Sequence, residues 1–470
     1  MAEQTSGQVV KAVVVGGGIS GLATAHALST THRIEAKVLE AEPRLGGNVR
    51  TSSRDGFLID EGPDSWVANK PHATALCCAL GLGDRLIETI PENRRVYVRM
   101  DDARLVPFPD GMMLGIPTRI MPLATTPLLS WRGKMRAALD LVLPVGYGKR
   151  SSDEDEALGD FIERRLGREV LDQIAAPLLG GLFTGDVSTL SLLGSFPQLA
   201  ALEKQGGLIR GALAMAHKAK AHAKPGAPKP APFLSLRGGV GELIDTLAAR
   251  LGAAVVTGAR VESIEREGAH YVVRHGAGPA IRAEHVVVAG PAHIASRLLS
   301  PISEELGREL ADIGYSSAAT VFLAYAKKDV PHPLDATGYL VPKKAPGEPL
   351  ASTWVSSKWP FRAPEGDALM RIFFGEADVD RTDEDLIARA TREVRTTLHV
   401  TVDPKLVHVA RFRRASPQPR VGHPSRMQRL QRAVEGVPGV HVLGSAYDGV
   451  GLGDCVRQAE AVAARIANVR

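Results

Sequence analysis

The sequence predicts an α/β fold in which one dinucleotide-type domain is assembled from three separate parts of the chain. Three observations predict it. The chain opens with a strand, a glycine turn and a helix in VVVGGGISGLATAHAL, from Val13 to Leu28. A further strand ends in VVVAG at Gly290, and the C-terminal segment VHVLGSAYDGVGLGDCVRQAEAVAARI again has a strand, a glycine-rich turn and a helix. Such units are typical of a parallel sheet flanked by helices.

The remaining elements follow from periodicity and composition. A second strand, IEAKVLE, ends at Glu40, so the first three elements form one βαβ unit. Further along, the patterns predict a helix in Lys70–Ile87, a mostly helical region over Ser130–Leu213, a Lys/Ala/Pro linker or loop over His217–Phe233, a helix over Gly241–Leu251, strands between Tyr315 and Phe374, and an amphipathic helix in DEDLIARATREVRTTL.

These elements divide the chain into five stretches. Residues 1–90, 234–292 and 431–470 are expected to form the three parts of the dinucleotide domain. Residues 91–233 are expected to be mainly helical, to carry part of the substrate site and to include the linker. Residues 293–430 are expected to form an α+β substrate domain. The chain would therefore leave the first domain and return to it twice.

The glycine turn has the spacing G-x-G-x-x-G at Gly16, Gly18 and Gly21. The first glycine permits a tight turn, the second lets the backbone approach a pyrophosphate, and the third lets the helix pack on the strand. Glu40 ends the second strand 24 residues after Gly16. A carboxylate there can accept hydrogen bonds from an adenosine ribose and disfavours a 2′-phosphate. The motif therefore predicts an unphosphorylated dinucleotide.

The residues after Glu40 resemble the extended motif of flavoproteins in the amine oxidase and protoporphyrinogen oxidase superfamily. The resemblance is carried by EAEPRLGGNVRT and DEGPDSW, and by the C-terminal SAYDGVGLGDC. Arg44 would supply a cation near the pyrophosphate. The resemblance implies FAD in a Rossmann-type domain with discontinuous insertions, an α+β substrate domain and a mainly helical domain of the membrane-binding type.

Two further segments, GLFTGDVSTLSLLGSFPQLAALE and GYLVP, are similar to the protoporphyrinogen oxidase family rather than to amine oxidases. This resemblance implies six-electron oxidation of protoporphyrinogen IX to protoporphyrin IX in heme biosynthesis, with oxygen or another acceptor reoxidising the flavin. Coproporphyrinogen III is the alternative substrate. Another FAD-dependent amine oxidase or desaturase, and a flavin-binding protein without catalysis, remain competing interpretations.

The resemblance also implies the site residues, with no separate catalytic base. For FAD they are Gly16, Gly18, Ile19, Ser20, Gly21, Glu40, Arg44, Gly46, Gly47, Gly62, Pro63, Asp64, Ser65, Val261, Ser445, Val450, Gly451 and Leu452. For the substrate they are Arg94 (with Arg95 as the alternative), Gly181, Leu340 and Phe373. Two positions depart from the family: Thr337 stands where an aromatic residue is frequent, and Gly453 where asparagine is usual.

Composition limits the partners. The formal net charge of +5 and the aromatic content of 5% are too low to favour nucleic acid. Of the three cysteines, Cys77 and Cys78 are adjacent and Cys455 is distant, which offers no zinc spacing, so no metal is expected. Neither a secretory signal nor an apolar spanning run is visible, which predicts a cytoplasmic protein. The region Asp110–Leu143 mixes apolar and basic residues, so we expect either peripheral contact with the cytoplasmic face of the inner membrane or a helical cap packed on the protein. A homodimer is left open.

Overall fold

A computed structural model describes residues 9–149, 155–222, 231–342 and 348–468. Its strands, numbered in chain order, are β1 Val9–Val15, β2 Ala36–Leu39, β3 Thr51–Arg54, β4 Phe57–Asp60, β5 Trp66–Val67, β6 Leu86–Glu88, β7 Tyr97–Arg99, β8 Leu105–Pro107, β9 Met112–Met113, β10 Ile116–Pro117, β11 Phe233–Leu236, β12 Val255–Val256, β13 Val261–Glu267, β14 His270–His275, β15 Ile281–Val288, β16 Gly314–Ala326, β17 Gly338–Leu340, β18 Ala351–Trp354, β19 Asp367–Phe374, β20 Leu406–Gln418 and β21 Val440–Val442.

The α-helices are α1 Ile19–His26, α2 Pro71–Ala79, α3 Ile120–Thr125, α4 Trp131–Ala138, α5 Leu158–Leu166, α6 Arg168–Val170, α7 Gly181–Phe183, α8 Leu192–Ser195, α9 Pro197–Glu203, α10 Leu208–His222, α11 Gly241–Leu251, α12 Ala292–Leu299, α13 Glu304–Ala311, α14 Val355–Lys358, α15 Asp383–Leu398, α16 His423–Glu435 and α17 Leu452–Asn468. π-Helical stretches cover Ala27–Thr31 and Leu171–Gly180, and 3₁₀ turns cover Gly83–Arg85, Pro91–Asn93, Leu139–Leu141, Gly252–Ala254, Lys327–Asp329 and Glu376–Asp378.

The first sheet is built from all three glycine-associated strands of the sequence. Its order is β12-β2-β1-β15-β14-β13, and β21 also pairs with β15. β1 is parallel to β2 and to β15, and β15 is parallel to β21. Their carboxyl ends, at Val15, Leu39, Val288 and Val442, therefore lie along one edge, which is where open α/β sheets bind ligands.

Helices cover both faces of this sheet. α1, α2, α11 and α17 share one apolar core with alternate side chains of β1 and β2. α12, α13 and α16 share the other core with β1, β13 and β15. Because β1 and the last three residues of β15 are buried on both faces, VVKAVVV and the VVV of Val286–Val288 are nearly continuous runs of apolar residues. α12, α13 and most of α16 lie within 293–430, the stretch assigned to the substrate domain, yet they pack on the first sheet.

The second sheet has the order β20-β16-β19-β18-β17-β7-β8 and is antiparallel except between β17 and β7. One face packs on α15, which buries Leu386, Ala390, Val394 and Leu398 there. The other face turns toward the β3–β4 hairpin, where Phe57 and Ile59 contact side chains of β16 and β19. β7 and β8 belong to this sheet although they lie at the start of the mainly helical stretch 91–233.

The helical region has its own apolar core, formed mainly by α4, α5, α8, α9, α10 and the π-helical stretch. The expected loop from His217 is wrong at its start, because α10 continues to His222; β11 then begins at Phe233. Of the predicted linker, residues 223–230 lie outside the described residues. Within the described parts of the chain, no helix is long and apolar enough to cross a bilayer.

Candidate active site

The glycine turn lies at the carboxyl edge of the first sheet. Gly16 has a φ of +109°, and its amide donates to the carbonyl of Leu39 (2.9 Å). A Cβ on Gly21 would lie 2.0 Å from the carbonyl oxygen of Gly16, so only glycine lets α1 pack this closely on the turn. Gly18 precedes α1, and no side chain caps the helix or places a carboxylate in its first turn. The first amides of α1 are therefore open to an anion.

Side chains near this turn contribute differently. Ile19 is buried in the core of the first domain, so it can offer only its backbone amide to a ligand. Ser20 is buried and lies beside Cys455 of α17. The helices that begin at two distant glycine segments therefore meet next to the turn.

Glu40 joins the turn to the segment after β2. Its Oε2 accepts from the amide of Gly17 (2.6 Å) and its Oε1 accepts from the amide of Glu42 (2.8 Å). The backbone around Glu40 also pairs with the segment before Val261, since the amide of Ala259 donates to the Glu40 carbonyl (2.7 Å). Val261 itself packs in the core with its side chain 4% exposed. Each Glu40 oxygen retains a second acceptor position for a ribose hydroxyl.

The RLGG segment forms a second tight turn against the first. The Gly46 amide donates to the Gly17 carbonyl (2.8 Å), and Gly46 and Gly47 both have positive φ. Arg44 donates to the carbonyls of Leu45 (3.1 Å) and Gly47 (2.7 Å). A Cβ on Gly47 would be 3.5 Å from the Cα of Gly18. Arg44 thus stiffens the turn whose backbone faces the start of α1.

The DEGPDS segment, Asp60–Ser65, lies next to the RLGG turn. A Cβ on Gly62 would lie 1.9 Å from the carbonyl oxygen of Asn48, so the segment presses directly on the residue that follows RLGG. The Asp64 carboxylate is occupied within the protein, because it accepts from Lys358 (2.7 Å), Trp359 (2.9 Å) and Ser65 (2.7 Å). Burial alone would raise the pKa of Asp64, but the charge of Lys358 and these hydrogen bonds hold it well below its usual range.

The C-terminal turn completes the edge. Ser445, Val450, Gly451 and Leu452 lie between β21 and the first residue of α17. Asp454 accepts from the Gly451 amide (3.3 Å) and from Lys70 (2.6 Å), so it fixes the start of α17. A Cβ on Gly453 would lie 3.2 Å from the Cβ of Lys70. The departure at Gly453 therefore coincides with close packing of α17 on the backbone near Lys70.

The predicted apolar substrate residues share one row of the second sheet. Leu340 of β17 pairs with Ala351 of β18, which pairs with Phe373 of β19. Phe373 in turn pairs with Thr320 of β16. Directly opposed residues point to the same face, so Leu340 and Phe373 lie on the face that turns toward the first domain. Both are half-buried, and the buried Thr320 hydroxyl on this face has no hydrogen-bond partner.

Gly181 begins α7, and a Cβ there would meet no atom within 4 Å. The end of this short helix is tied to the second sheet, because the carbonyl of Phe183 accepts from Gln418 (2.8 Å) and Ser416 (2.7 Å). Gly181 therefore begins a short helix whose end is hydrogen-bonded to the second sheet, and open space lies where its side chain would be.

Arg94, the arginine predicted to bind the substrate, forms its hydrogen bonds with neighbouring residues of the chain. Arg94 donates to the hydroxyl of Thr89 (3.0 Å) and pairs with Glu88 (3.1 Å). Its alternative, Arg95, pairs with Asp335 (3.4 Å). Thr337 donates from its hydroxyl to the Arg95 carbonyl (3.1 Å), so the departure from an aromatic residue replaces a ring with a backbone hydrogen bond.

The model of the family described as flavin containing amine oxidoreductase matches residues 19–467. The chain belongs to this family.

Two curated relatives are named coproporphyrinogen III oxidase. One, from Bacillus subtilis, is 32% identical over 96% of this chain and 96% of its own length. The other, from Propionibacterium freudenreichii subsp. freudenreichii, is 34% identical over 95% of this chain and 89% of its own length. A solved structure from Exiguobacterium sp. 255-15, named for protoporphyrinogen oxidase, is 31% identical, has a TM-score of 0.85 and covers 98% of this chain and 99% of that chain.

Family membership confirms the predicted fold class, an oxidoreductase activity and FAD as the cofactor. The structure is consistent with FAD on its own account. Helix α1 offers uncapped amides to a pyrophosphate, Glu40 offers acceptors to a ribose, and Gly18 and Gly47 add no side chains where the two glycine turns approach each other. In this family the bound flavin supplies the acceptor of a hydride or of electrons.

Sequence reasoning missed one residue at the junction of the two domains. Arg371 lies on the same sheet face as Phe373, and its guanidinium stands 4.5 Å from the centre of the Phe373 ring. It donates to the carbonyls of Glu61 and Gly62. The signal was a single arginine in the apolar strand LMRIFF, which a strand facing only a hydrophobic core would not contain.

Proposed function

We propose that this chain oxidises a porphyrinogen to the corresponding porphyrin with oxygen as the acceptor. One observation carries the proposal: the row Leu340, Ala351, Phe373 forms a half-buried apolar wall on the sheet face that meets the Gly62 segment of the FAD domain. A wall of this kind suits the flat surface of a tetrapyrrole. The names of the relatives support the same substrate class.

The oxidation removes six electrons, so FAD must be reduced three times for each porphyrin formed. Three molecules of oxygen would be consumed and three of hydrogen peroxide formed. The protein's own part is to bind the substrate with one meso carbon facing the cofactor and to hold it there. We propose the eighteen FAD-binding residues and the four substrate residues of the sequence analysis for these roles, with Ile19 acting through its amide and Asp64 through the backbone that its side chain anchors.

The test is anaerobic mixing of the purified FAD-loaded protein with protoporphyrinogen IX or coproporphyrinogen III. We expect loss of the flavin absorbance band and the appearance of porphyrin fluorescence, with one flavin reduced for every two electrons. A flavin spectrum that neither substrate changes would refute the proposal. An unchanged spectrum together with reduction by amines would instead favour an amine oxidase.

The preferred porphyrinogen is decided by comparing kcat/KM for the two substrates. Protoporphyrinogen IX is the substrate predicted from the sequence, whereas the two relatives support coproporphyrinogen III. Coproporphyrinogen III carries four propionates, so its binding would depend more strongly on cations and would weaken more steeply with salt. Measuring both ratios at low and high ionic strength separates the alternatives.

We also propose peripheral membrane contact through the surface formed by α3, α4 and the residues that follow. Met121, Trp131 and Val142 are 70%, 74% and 73% exposed there, whereas Leu123 and Leu128 of the same region pack in the helical core. Arg132 and Lys134 lie on the same short helix as Trp131. An exposed apolar surface with neighbouring cations suits an anionic bilayer.

Co-sedimentation with vesicles of mixed phosphatidylglycerol and phosphatidylcholine tests this contact. We expect binding that Trp131→Glu weakens, while Val402→Glu, at another exposed apolar position, leaves it unchanged. Equal sedimentation of wild type and Trp131→Glu would refute it. The homodimer and the cytoplasmic location stay predictions, and sedimentation velocity would decide the first.

A further inference from the structure

Arg371 is a buried cation held mainly by backbone groups. It donates to the carbonyls of Asp60 (3.3 Å), Glu61 and Gly62 (2.7 Å). The neighbouring carboxylates are engaged elsewhere: Asp60 contacts Arg362 (3.2 Å), and Glu61 pairs with Arg50 (2.9 Å). The guanidinium is therefore directed at the backbone of the DEGP segment.

The same guanidinium lies between two aromatic rings of the second sheet. Its centre is 5.2 Å from the Phe322 ring and 4.5 Å from the Phe373 ring. Phe322 is buried, while Phe373 is half-buried at the substrate face. Arginine stacks on aromatic faces and donates in a fixed plane, so one side chain can orient a ring and a row of carbonyls together.

We propose that Arg371 is a positioning residue that fixes the Asp60–Gly62 wall of the cofactor site and the Phe373 ring of the substrate wall in one geometry. The substrate half of this inference rests on the proposed function. The cofactor half rests on contacts that the structure shows within this chain.

Packing alone does not account for an arginine here. Leu369 and Phe322 show that apolar side chains fill this face, and an apolar residue at 371 would avoid the cost of burying a charge. Burial lowers the pKa of Arg371 to about 10, partly offset by the charges of Asp64, Asp60 and Glu61, so the guanidinium stays protonated at neutral pH. A charge kept at this cost is best explained by the three carbonyls that it holds.

The test compares Arg371→Lys and Arg371→Met with the control Arg165→Lys. Lysine keeps the charge but loses the planar fork, and methionine loses both. Arg165 is 0% exposed and, like Arg371, donates to backbone carbonyls, those of Pro144 (2.8 Å) and Leu143 (3.5 Å), but it pairs with Asp140 (2.6 Å) in the helical region and not with the Asp60–Gly62 wall. All variants are loaded with FAD and examined for melting temperature, visible spectrum, flavin midpoint potential, and kcat and KM per bound flavin.

We expect Arg371→Met to lower kcat about 10- to 100-fold, which is the effect expected when a reacting group is misplaced. The same variant should change the wavelength of the flavin absorbance band and make the flavin midpoint potential more negative. Arg371→Lys should lower kcat while largely preserving the potential. Arg165→Lys should lower only the melting temperature. The inference is overturned if both Arg371 variants change only the melting temperature, as the control does.

The spectrum and the potential are measured without porphyrinogen, so they test the cofactor wall separately from the substrate. A wild-type protein that turns over no porphyrinogen would remove the proposed function and the Phe373 half of the inference. If the wild type turns over porphyrinogen normally and Arg371→Met leaves the flavin spectrum and midpoint potential unchanged, only the claim that Arg371 fixes the Asp60–Gly62 wall is refuted.

Discussion

At the scale of single residues, Glu40 has two tasks in one carboxylate. The sequence predicts it as an acceptor for a ribose. In the structure it also ties the glycine turn to the segment after β2, through the amides of Gly17 and Glu42. The charge that would repel a 2′-phosphate is therefore the group that shapes the turn, and cofactor choice and turn geometry cannot be changed independently at this position.

Glu40→Gln is expected to weaken FAD binding about tenfold or more. Glutamine has only one acceptor oxygen, so it cannot accept from both the part-buried Gly17 amide and the exposed Glu42 amide, and the loss of one hydrogen bond to a charged group costs about 1.5–3 kcal/mol. The dissociation constant of FAD, measured by reconstituting the apoprotein, checks this. Glu42→Gln, an exposed neighbour, is the control, and equal affinities for the two variants would contradict the assigned role.

The lowered pKa of the buried His441 predicts how the free energy of unfolding depends on pH. It is 7% exposed, and its Nε2 lies 3.3 Å from Nδ1 of His285. Burial, then the charges of His285 and Arg465, lower the pKa of His441 to about 4. At pH values between the pKa of His441 in the unfolded chain, near 6.5, and its pKa in the folded protein, about 4, the unfolded chain binds more protons than the folded protein. The contribution of neutral His441 to the free energy of unfolding is therefore complete above pH 6.5 and decreases as the pH falls toward 4.

His441→Gln should therefore flatten the change of the urea midpoint between pH 6.5 and 4 relative to wild type. Glutamine does not titrate and can still hydrogen-bond to His285. His217→Gln, at an exposed histidine of α10 whose Nδ1 contacts the Leu213 carbonyl, should keep the wild-type slope. A slope that is unchanged in His441→Gln would show that other groups set the acid sensitivity.

At the scale of elements, the sequence predicted what local patterns determine. The helices Gly241–Leu251 and Asp383–Leu398 appear with the expected bounds, because their apolar spacing and caps are local. The pairing of β7 with β17 could not be predicted, since it joins residues 97 and 339. The candidate site divides in the same way: the glycine turns follow from motifs, while the row that unites Leu340 with Phe373 depends on strand register.

Substitutions at Gly181, the first residue of α7, can distinguish an effect on packing from an effect on substrate binding. Gly181 has helical dihedral angles and open space where a side chain would lie, so larger residues fit without strain. Gly181→Phe should leave the melting temperature nearly unchanged and raise KM for the porphyrinogen about tenfold, which corresponds to about 1.4 kcal/mol of lost binding. Steady-state kinetics beside thermal unfolding check this.

Gly181→Ala is the graded control and should lie between wild type and Gly181→Phe in KM. If Gly181→Phe unfolds at a clearly lower temperature, the open space is not available to a side chain. If its KM equals that of wild type while it folds normally, the substrate does not pass this position.

At the scale of the whole molecule, FAD would contact distant parts of the chain that the first sheet and the shared core of α1 and α17 already bring together. The turns at Gly16 and Gly46, the Gly62 segment and the start of α17 lie along one edge of the first sheet. Asp64 extends this assembly through Lys358 and Trp359 to the end of α14, the helix that directly follows β18 of the second sheet. A ligand that contacts all these segments stabilises the folded state by mass action and links their opening motions.

Removal of FAD should therefore reduce hydrogen-exchange protection in all of these segments together. At a free FAD concentration of about 1,000 times its dissociation constant, the stabilisation is about 4 kcal/mol, so the melting temperature should also fall on stripping. Hydrogen exchange with mass spectrometry of the apo and reconstituted protein measures this, and α15, packed on the far face of the second sheet, serves as the internal control. Loss of protection confined to residues 16–47, with residues 445–455 unchanged, would mean that the C-terminal turn does not contact the cofactor.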